Sequence, residues 1–124
     1  MIVGIGVDLV RLQRFGESLK RPGFAERVFT LTELAAAPTG DSTARRTEHL
    51  AGLFAAKEAL AKALAGTPGL VWTDAQVNHQ ENGQPYFCLD GSVKARAEAL
   101  KVRNMQLSIS HDEKTAVAFV VLEA

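Results

Sequence analysis

Two separated segments carry the side chains best suited to metal and phosphate chemistry. Asp8 follows the glycine-bearing apolar stretch 4–7, and a second carboxylate, Glu58, lies in the middle of the chain. Phe54, Glu58 and Lys62 are spaced four residues apart, so a helix places them on one face. Mg²⁺ binds through one or two carboxylates together with phosphate oxygens and water. The two segments are therefore a candidate magnesium and phosphate site.

The spacing of these residues allows two interpretations. Phe54 indicates a helix face that points inward, which makes Glu58 and Lys62 half-buried charges that need partners such as Asp8 and a cation. The simpler alternative is a solvent-exposed Glu58–Lys62 bridge along the helix, with Asp8 only capping the next helix. Spacing alone favours the simpler alternative and leaves both open.

The other reactive side chains carry weaker signals. Cys88 is the only cysteine, which rules out an internal disulfide and fits a reducing compartment. Its apolar surroundings at 85–89 predict a buried structural thiol. His49 and His79 have no partners at metal-ligand spacing, so no zinc site is expected. His111, taken alone, is most simply a turn residue.

The elements that must position these residues follow from the hydrophobic periodicity and the turn signals. The segments read in the order β-α-α-α-β-β-α-β-β, which predicts an α+β fold with a mainly antiparallel sheet and a long central helix. Thr30 and Glu33 form a capping box, and Asn82-Gly83 predicts a hairpin turn. The predicted strands are 2–7 (with Asp8 at its exit), 70–79, 84–89, 105–110 and 115–122, and the predicted helices are 9–20, 30–37, 42–65 and 90–103.

The bulk composition bounds the class of protein. A chain of 124 residues, 47% of them hydrophobic and 23% charged, is predicted to form one compact globular domain, 1–124. A net charge of zero argues against a nucleic-acid binder. No stretch approaches the roughly 20 apolar residues of a membrane span, so the cytoplasm is the expected location. The segment 11–27 is locally basic and could attract an anionic partner.

Several motifs together resemble the holo-acyl-carrier-protein synthases, the small phosphopantetheinyl transferases of bacteria. They are Gly-Ile-Gly-Val-Asp8 with the following residues to Arg14, Phe54-Ala-Ala-Lys-Glu-Ala-Leu-Ala-Lys-Ala63, Asn82-Gly-Gln-Pro85 and Ser108-Ile-Ser-His111. The resemblance covers essentially the whole chain. It implies transfer of the 4′-phosphopantetheine moiety from coenzyme A to a serine of apo acyl carrier protein, giving adenosine 3′,5′-bisphosphate.

The resemblance also implies roles for individual residues. Those matching Asp8 and Glu58 coordinate Mg²⁺, and the lysine matching Lys62 contacts phosphate in the same site. His111 is expected near the nucleotide of coenzyme A, and Arg45 is a candidate phosphate contact. The residue that takes the serine proton stays open between Glu58, directly or through water, and His111.

Partners follow from the same resemblance. Arg14 lies on the helix that docks the acidic carrier protein in this family, and Arg21 and Arg27 extend that basic segment. Family members are typically homotrimers with sites between subunits. One departure is Leu53, where the family commonly has an arginine, so Arg45 or Arg46 is expected to replace that contact or the contact is lost.

Two other functions compete with the transferase hypothesis. A magnesium-dependent phosphoesterase acting on a small nucleotide would use the same carboxylates, and a non-catalytic trimer could bind a nucleotide without turning it over. Formation of holo carrier protein separates the transferase from both.

Overall fold

The main sheet is antiparallel and has three strands. The structure, a computed structural model, describes residues 1–40, 43–66 and 68–124. Within them, β1 (Ile2–Arg11), β4 (Asn104–His111) and β5 (Thr115–Glu123) lie in the order β1-β5-β4. Along β5 the buried side chains are Ala116, Ala118, Val120 and Leu122, and the residues between them face the other side. The last two strands were predicted almost to the residue, because period-two alternation is a local signal.

The long helix α4 (Thr43–Ala63) covers the inner face of this sheet. It is alanine-rich and buried on nearly every side, which allows close packing. A Cβ atom added at Gly6 would overlap the carbonyl oxygen of Ala59, and one at Gly4 would overlap that of Ala63. The helix backbone therefore lies directly on the glycines of β1, which no larger residue would permit.

The first strand is longer than its sequence predicted. We expected a strand that ends at Asp8 and a helix from Leu9, but β1 continues to Arg11 and helix α1 spans Leu12–Leu19. The reason is tertiary: β5 pairs along the whole strand, with Asp8 opposite Ala118 and Arg11 opposite Thr115. Asp8 thus lies within the strand β1 and not at its end, and Arg11 occupies the N-cap position of α1.

Two short helices follow before α4. The helix α2 (Phe24–Val28) was not predicted, so four helices rather than three precede the second strand. The helix α3 (Leu31–Ala36) begins with the predicted Thr30–Glu33 capping box, which is confirmed with both hydrogen bonds present. The predicted start of the long helix at Ser42 lies outside the described residues. Its end falls at Ala63 and not at Ala65, because Ala65 has a φ of 66°.

A second, smaller sheet is the predicted hairpin. The strands β2 (Ala75–His79) and β3 (Pro85–Leu89) pair antiparallel. Residues 70–74, predicted as strand, instead include a 3₁₀ turn at Trp72–Asp74. Asp90 accepts a hydrogen bond from the Gly91 amide and caps α5 (Gly91–Ala99), which is shorter than the predicted 90–103. Lys101, with a φ of 61°, follows its end.

Cys88 corrects one prediction about the core. It lies on β3 next to the buried Phe87, and strand alternation turns it outward, so the thiol is exposed and not buried as expected. The Asn78 side-chain amide contacts its sulfur at 3.1 Å.

The face of the main sheet opposite α4 is apolar. Ile5 pairs with Val121, Val7 with Phe119 and Leu9 with Val117, and these six residues form what we call the outer sheet face. Leu9 is 70% exposed, and Ile5, Val7 and Phe119 are also exposed. The predicted α+β class, with mainly antiparallel pairing and a sheet packed on a long helix, is confirmed. Within the described part of the chain, no helix is long and apolar enough to cross a membrane.

Candidate active site

Close packing of β1 on α4 brings the predicted site residues together. The Lys62 ammonium on α4 donates to the Asp8 carboxylate at 3.1 Å and to the Val7 carbonyl at 3.0 Å. The side chain of Asp8 is mostly buried at 16% exposure, whereas that of Lys62 is 57% exposed. Lys62 is therefore paired with a residue from the opposite end of the sequence, and the alternative of a Glu58–Lys62 bridge along the helix is not the pairing adopted.

Glu58 lies beside this pair. Burial raises the pKa of its carboxyl group, and the nearby Asp8 carboxylate raises that pKa further. Lys62 and a hydrogen bond from the Trp72 side chain act in the opposite direction. Two carboxylates that repel each other, one of them half-buried, are an arrangement that a divalent cation stabilises.

The donor set fits a hard cation whose remaining ligands come from elsewhere. Among residues 1–40, 43–66 and 68–124, no group of three or more His, Cys, Asp or Glu side chains is placed to hold a metal ion. A cation at Asp8 and Glu58 would therefore rest on two protein carboxylates and complete its shell with water and phosphate oxygens. Mg²⁺ favours this combination over an all-protein cage.

A cleft of about 470 Å³ opens beside the two carboxylates, and we call it the carboxylate groove. Asp8 and Glu58 lie in its wall, and Arg11 and Arg14 line it as well. Three aromatic rings form its apolar part: Phe54 packs against Phe15 at 5.5 Å and against Phe24 at 6.0 Å between ring centroids. The groove thus combines a negative metal-binding position, positive side chains and apolar surface.

The chain's histidines gather in a second cleft of about 180 Å³. The Nδ1 atom of His111, at the end of β4, contacts the Glu48 carboxylate, and the rings of His49 and His79 are 5.7 Å apart. We call these four residues the histidine cleft. Burial lowers the pKa of His49, and the neighbouring His79 lowers it further. Within one chain His111 is therefore in a different cleft from the predicted metal ligands.

Comparison with known proteins identifies the family. The model of the 4′-phosphopantetheinyl transferase superfamily matches residues 4–120. The chain belongs to this superfamily. A holo-[acyl-carrier-protein] synthase of Streptomyces griseus subsp. griseus is 47% identical over 124 residues, with 99% of both chains covered. The family resemblance inferred from the sequence motifs is confirmed.

Solved structures of the same kind share the fold. A holo-(acyl-carrier-protein) synthase from Bacillus anthracis, crystallised in complex with CoA (3′,5′-ADP), is 37% identical with a TM-score of 0.81, covering 100% of this chain and 98% of the other. The holo-[acyl-carrier-protein] synthase from Neisseria meningitidis is 34% identical with a TM-score of 0.85, and both chains are covered completely.

The basic residues of this superfamily member lie at several places. Arg14 lines the carboxylate groove, and Arg21 and Arg27 are exposed on the segment that follows α1. Arg45 is exposed on the first turns of α4. Arg46 donates to the carbonyl oxygens of Leu34 and Pro38, both at 3.4 Å, and so helps to hold the end of α3.

Leu53, the residue at which the family resemblance led us to expect an arginine, is only 2% exposed. It packs in the core and lines the histidine cleft through its side chain. An apolar residue at this position therefore has a packing role here. Arg46, one of the two arginines expected to replace that contact, is engaged with the backbone carbonyls of Leu34 and Pro38.

Sequence reasoning missed the residues behind Glu58. Lys57 and Glu33 form a fully buried ion pair of 2.8 Å, and Trp72 lines the same cleft as Glu58. The capping box identified Glu33 as a backbone acceptor, but no local signal joins it to a lysine on another helix. Only the tertiary fold brings the two charges together.

Proposed function

We propose that this chain transfers the 4′-phosphopantetheine moiety of coenzyme A to a serine of apo acyl carrier protein, releasing adenosine 3′,5′-bisphosphate. The observation that carries the proposal is the meeting of Asp8, Glu58 and Lys62 at one groove in a chain of this superfamily. The relatives named above are holo-acyl-carrier-protein synthases, and one was crystallised with CoA. We further propose that 1–124 acts as a single phosphopantetheinyl transferase domain.

The proposed reaction is a displacement at phosphorus. The serine oxygen forms a bond to the pantetheine-bearing phosphorus of coenzyme A, and the bond from that phosphorus to the bridging oxygen breaks. The bridging oxygen leaves with adenosine 3′,5′-bisphosphate, and the serine proton passes to a base. Glu58 is the first candidate base, directly or through water, since burial and Asp8 raise its pKa toward neutrality.

Asp8 and Glu58 are the proposed Mg²⁺ ligands. The two carboxylates would hold the ion, which would supply positive charge to the pyrophosphate of coenzyme A. Lys62 would add a second positive contact to the transferring phosphoryl group. Its partial exposure supports this role, because the ammonium can turn from Asp8 to a phosphate oxygen without leaving a buried cavity.

The carrier protein is proposed to dock on the basic segment 11–27. Arg14 lines the carboxylate groove itself, and Arg21 and Arg27 are exposed further along the segment. Positive charges that surround a reaction groove attract an acidic partner and orient it during encounter. The serine of a carrier bound there would enter the groove from its arginine side.

We also propose a homotrimer, in which the outer sheet face is buried between copies. Uncovered apolar patches of this kind mark interaction surfaces. In such an assembly a neighbouring copy would supply His111 and Arg45 to the nucleotide of coenzyme A, and His111 would be the second candidate base. The composite site accounts for a histidine that lies in a separate cleft within one chain.

The cytoplasm is the proposed location of the reaction. Its support is the cysteine content: the single exposed thiol, Cys88, fits a reducing compartment better than an oxidising one. The carrier proteins proposed as acceptors are those of fatty acid or polyketide synthesis.

Mass spectrometry tests the proposed function. Apo acyl carrier protein is incubated with coenzyme A, Mg²⁺ and this chain, and we expect the carrier to gain the mass of one phosphopantetheine arm. Replacing the acceptor serine by alanine should abolish the gain. Hydrolysis of coenzyme A with no change in the carrier would indicate a phosphoesterase, and binding without turnover would indicate a nucleotide-binding module.

A further inference from the structure

A buried ion pair lies directly behind Glu58. The next residue on α4, Lys57, has no exposed side-chain surface, and neither does its partner Glu33. The Lys57 ammonium donates to Glu33 at 2.8 Å, to the Trp72 carbonyl at 3.0 Å and to the Ala75 carbonyl at 2.9 Å. An ammonium group has three protons, so all of its donors are used within the core.

The carboxylate of Glu33 is equally well satisfied. One oxygen accepts from the Thr30 amide at 2.9 Å in addition to Lys57, and the other accepts from the Val77 amide at 2.7 Å. The pair thereby joins the start of α3, the middle of α4 and the strand β2. Buried ion pairs are often no better for stability than apolar residues of the same size, so stability alone does not account for this one.

Trp72 connects the ion pair to the groove. Its backbone carbonyl accepts a hydrogen bond from Lys57, its side chain lines the same small cleft as Glu58, and its ring packs 6.0 Å from Phe54. Consecutive residues on a helix point about 100° apart. Lys57 therefore reaches the core and Glu58 reaches the groove, and Trp72 is hydrogen-bonded to the first and lies beside the second.

We propose that the Lys57–Glu33 pair positions the reaction site: it fixes the Trp72 backbone, and the Trp72 indole in turn holds the Glu58 carboxylate toward Asp8. Lys57, Glu33 and Trp72 are thus positioning residues that act through Glu58. The proposal rests on the proposed function, in which Glu58 binds the metal. A small displacement of a reacting group can slow a reaction many-fold. A positioning role therefore explains why a fully hydrogen-bonded ion pair lies next to Glu58.

The first test needs no substrate, because Trp72 is the only tryptophan. We expect Lys57→Met, confirmed as folded by circular dichroism, to increase the local motion of the indole in a fluorescence anisotropy decay of the metal-free protein. Lys57→Gln, which keeps an N–H donor for the Trp72 carbonyl, should restore most of the order. Lys94→Met on α5 is the matched surface control. Wild-type anisotropy in folded Lys57→Met would overturn the proposal.

A second variant keeps the proposal testable if Lys57→Met does not fold. Trp72→Phe preserves a ring against Phe54 but removes the indole N–H group through which Trp72 is proposed to hold Glu58. We expect kcat for phosphopantetheine transfer to fall on the order of 10- to 100-fold, with little change in the KM for coenzyme A, since positioning acts on the chemical step. The Mg²⁺ concentration for half-maximal rate should rise.

The matched control is Tyr86→Phe, since Tyr86 and Trp72 are both 40% exposed and Tyr86 lines a different cleft, away from Glu58. We expect wild-type kcat in this variant. Wild-type kcat in Trp72→Phe would contradict the positioning role. A wild-type protein that transfers nothing would instead remove the proposed function, while the anisotropy result would still decide whether Lys57 orders Trp72.

Discussion

Glu58 is under an electrostatic strain that a free carboxylate in water does not experience. Its side chain is half-buried and faces the Asp8 carboxylate, and both effects favour the protonated form. A divalent cation relieves this strain, because the repulsion between two anions becomes shared coordination. At the scale of single residues, the site is therefore prepared for a metal even before substrate binds.

The first prediction concerns this carboxylate. Glu58→Gln keeps the shape of the side chain but removes its charge. We expect holo carrier protein to form at least about 100-fold more slowly, because the loss of one electrostatic contact to a transition state lowers a rate by about this factor. The melting temperature of the metal-free variant should equal or exceed that of the wild type, because repulsion with Asp8 is removed. Mass spectrometry and thermal unfolding measure the two effects.

Glu98→Gln is the matched control for this substitution, since Glu98 is exposed on α5. It should transfer phosphopantetheine at the wild-type rate. Near-wild-type transfer by Glu58→Gln would remove Glu58 from the reaction, whereas a folded but inactive variant agrees with its role as a metal ligand.

His49 gives a pH-dependent prediction. Its pKa in the folded protein lies below the usual value of 6.5, mainly because of burial and then because of His79 and Arg46. As the pH falls, the His49 imidazole is therefore protonated in the unfolded chain at a higher pH than in the folded protein. Protonation thus favours the unfolded chain, and folding becomes less favourable below about pH 6.5. Relative to His49→Gln, the wild type should lose stability between about pH 7.5 and about pH 5.5. Urea unfolding of both proteins at each pH measures this, and a constant difference would contradict it.

At the scale of elements, the site depends on how closely α4 lies against β1. Gly6 touches the helix backbone at Ala59, and Asp8 follows two residues later on the same face of the strand. The contact that sets the spacing between strand and helix therefore also sets the separation of Asp8 from Glu58. Gly4 and Gly6, which have no reactive groups, thereby help to set the geometry of the proposed site.

Gly6→Ala tests this dependence. The added methyl group meets a backbone carbonyl, which cannot move away by changing a rotamer, so we expect a loss of about 3 kcal/mol of stability or more. Transfer activity should fall in whatever fraction remains folded. Urea unfolding and the carrier assay give the two readouts.

Gly16→Ala, on α1, is the matched control. There the new methyl group meets only the Thr47 side chain at an ordinary 3.6 Å, and alanine favours helix by up to about 1 kcal/mol. We expect this variant to be as stable as the wild type or more so. Equal stability of both alanine variants would show that β1 and α4 can separate without cost.

Local signals in the sequence predicted several elements correctly. The Thr30–Glu33 capping box, the Asn82-Gly83 hairpin turn and the alternation along the last strand each depend on residues close together in the chain. The C-terminal part of β1 was assigned to a helix, because the helical spacing that begins at Leu9 is a local pattern and the pairing with β5 is not. Tertiary hydrogen bonds override such a pattern.

Only part of the arrangement of the candidate site residues was predicted from the sequence. Asp8, Glu58 and Lys62 were expected together and are together, because helical spacing and the family motifs both point to them. The Lys57–Glu33 pair was not foreseen, since its partners are 24 residues apart on different helices. His111 was expected near the nucleotide and lies in a separate cleft within one chain, so this role stays a prediction that requires the proposed trimer.

At the scale of the whole molecule, the proposed trimer places the outer sheet face between copies of the chain. Phe119 on this face is exposed in the single chain, as are its neighbours on β1. We expect the wild type to behave in solution as three copies of the 13.3 kDa chain. Phe119→Lys should give single chains, because a lysine cannot be buried there without a partner, and should lose transfer activity with its composite site.

Light scattering after gel filtration measures the mass, and circular dichroism confirms that the variant is folded. Glu98→Lys, which changes an exposed residue on α5, should keep both the assembly and the activity. A wild-type protein that is fully active as a single chain would contradict both the trimer and the composite site.

The exposed thiol of Cys88 has a practical consequence. The chain contains one cysteine and one tryptophan, and the cysteine lies on β3, outside the carboxylate groove. A maleimide dye attached to Cys88 would therefore label a single position without any background mutation. With Trp72 as the energy-transfer donor, the same molecule would report distance changes between the hairpin and the groove as coenzyme A and carrier protein bind.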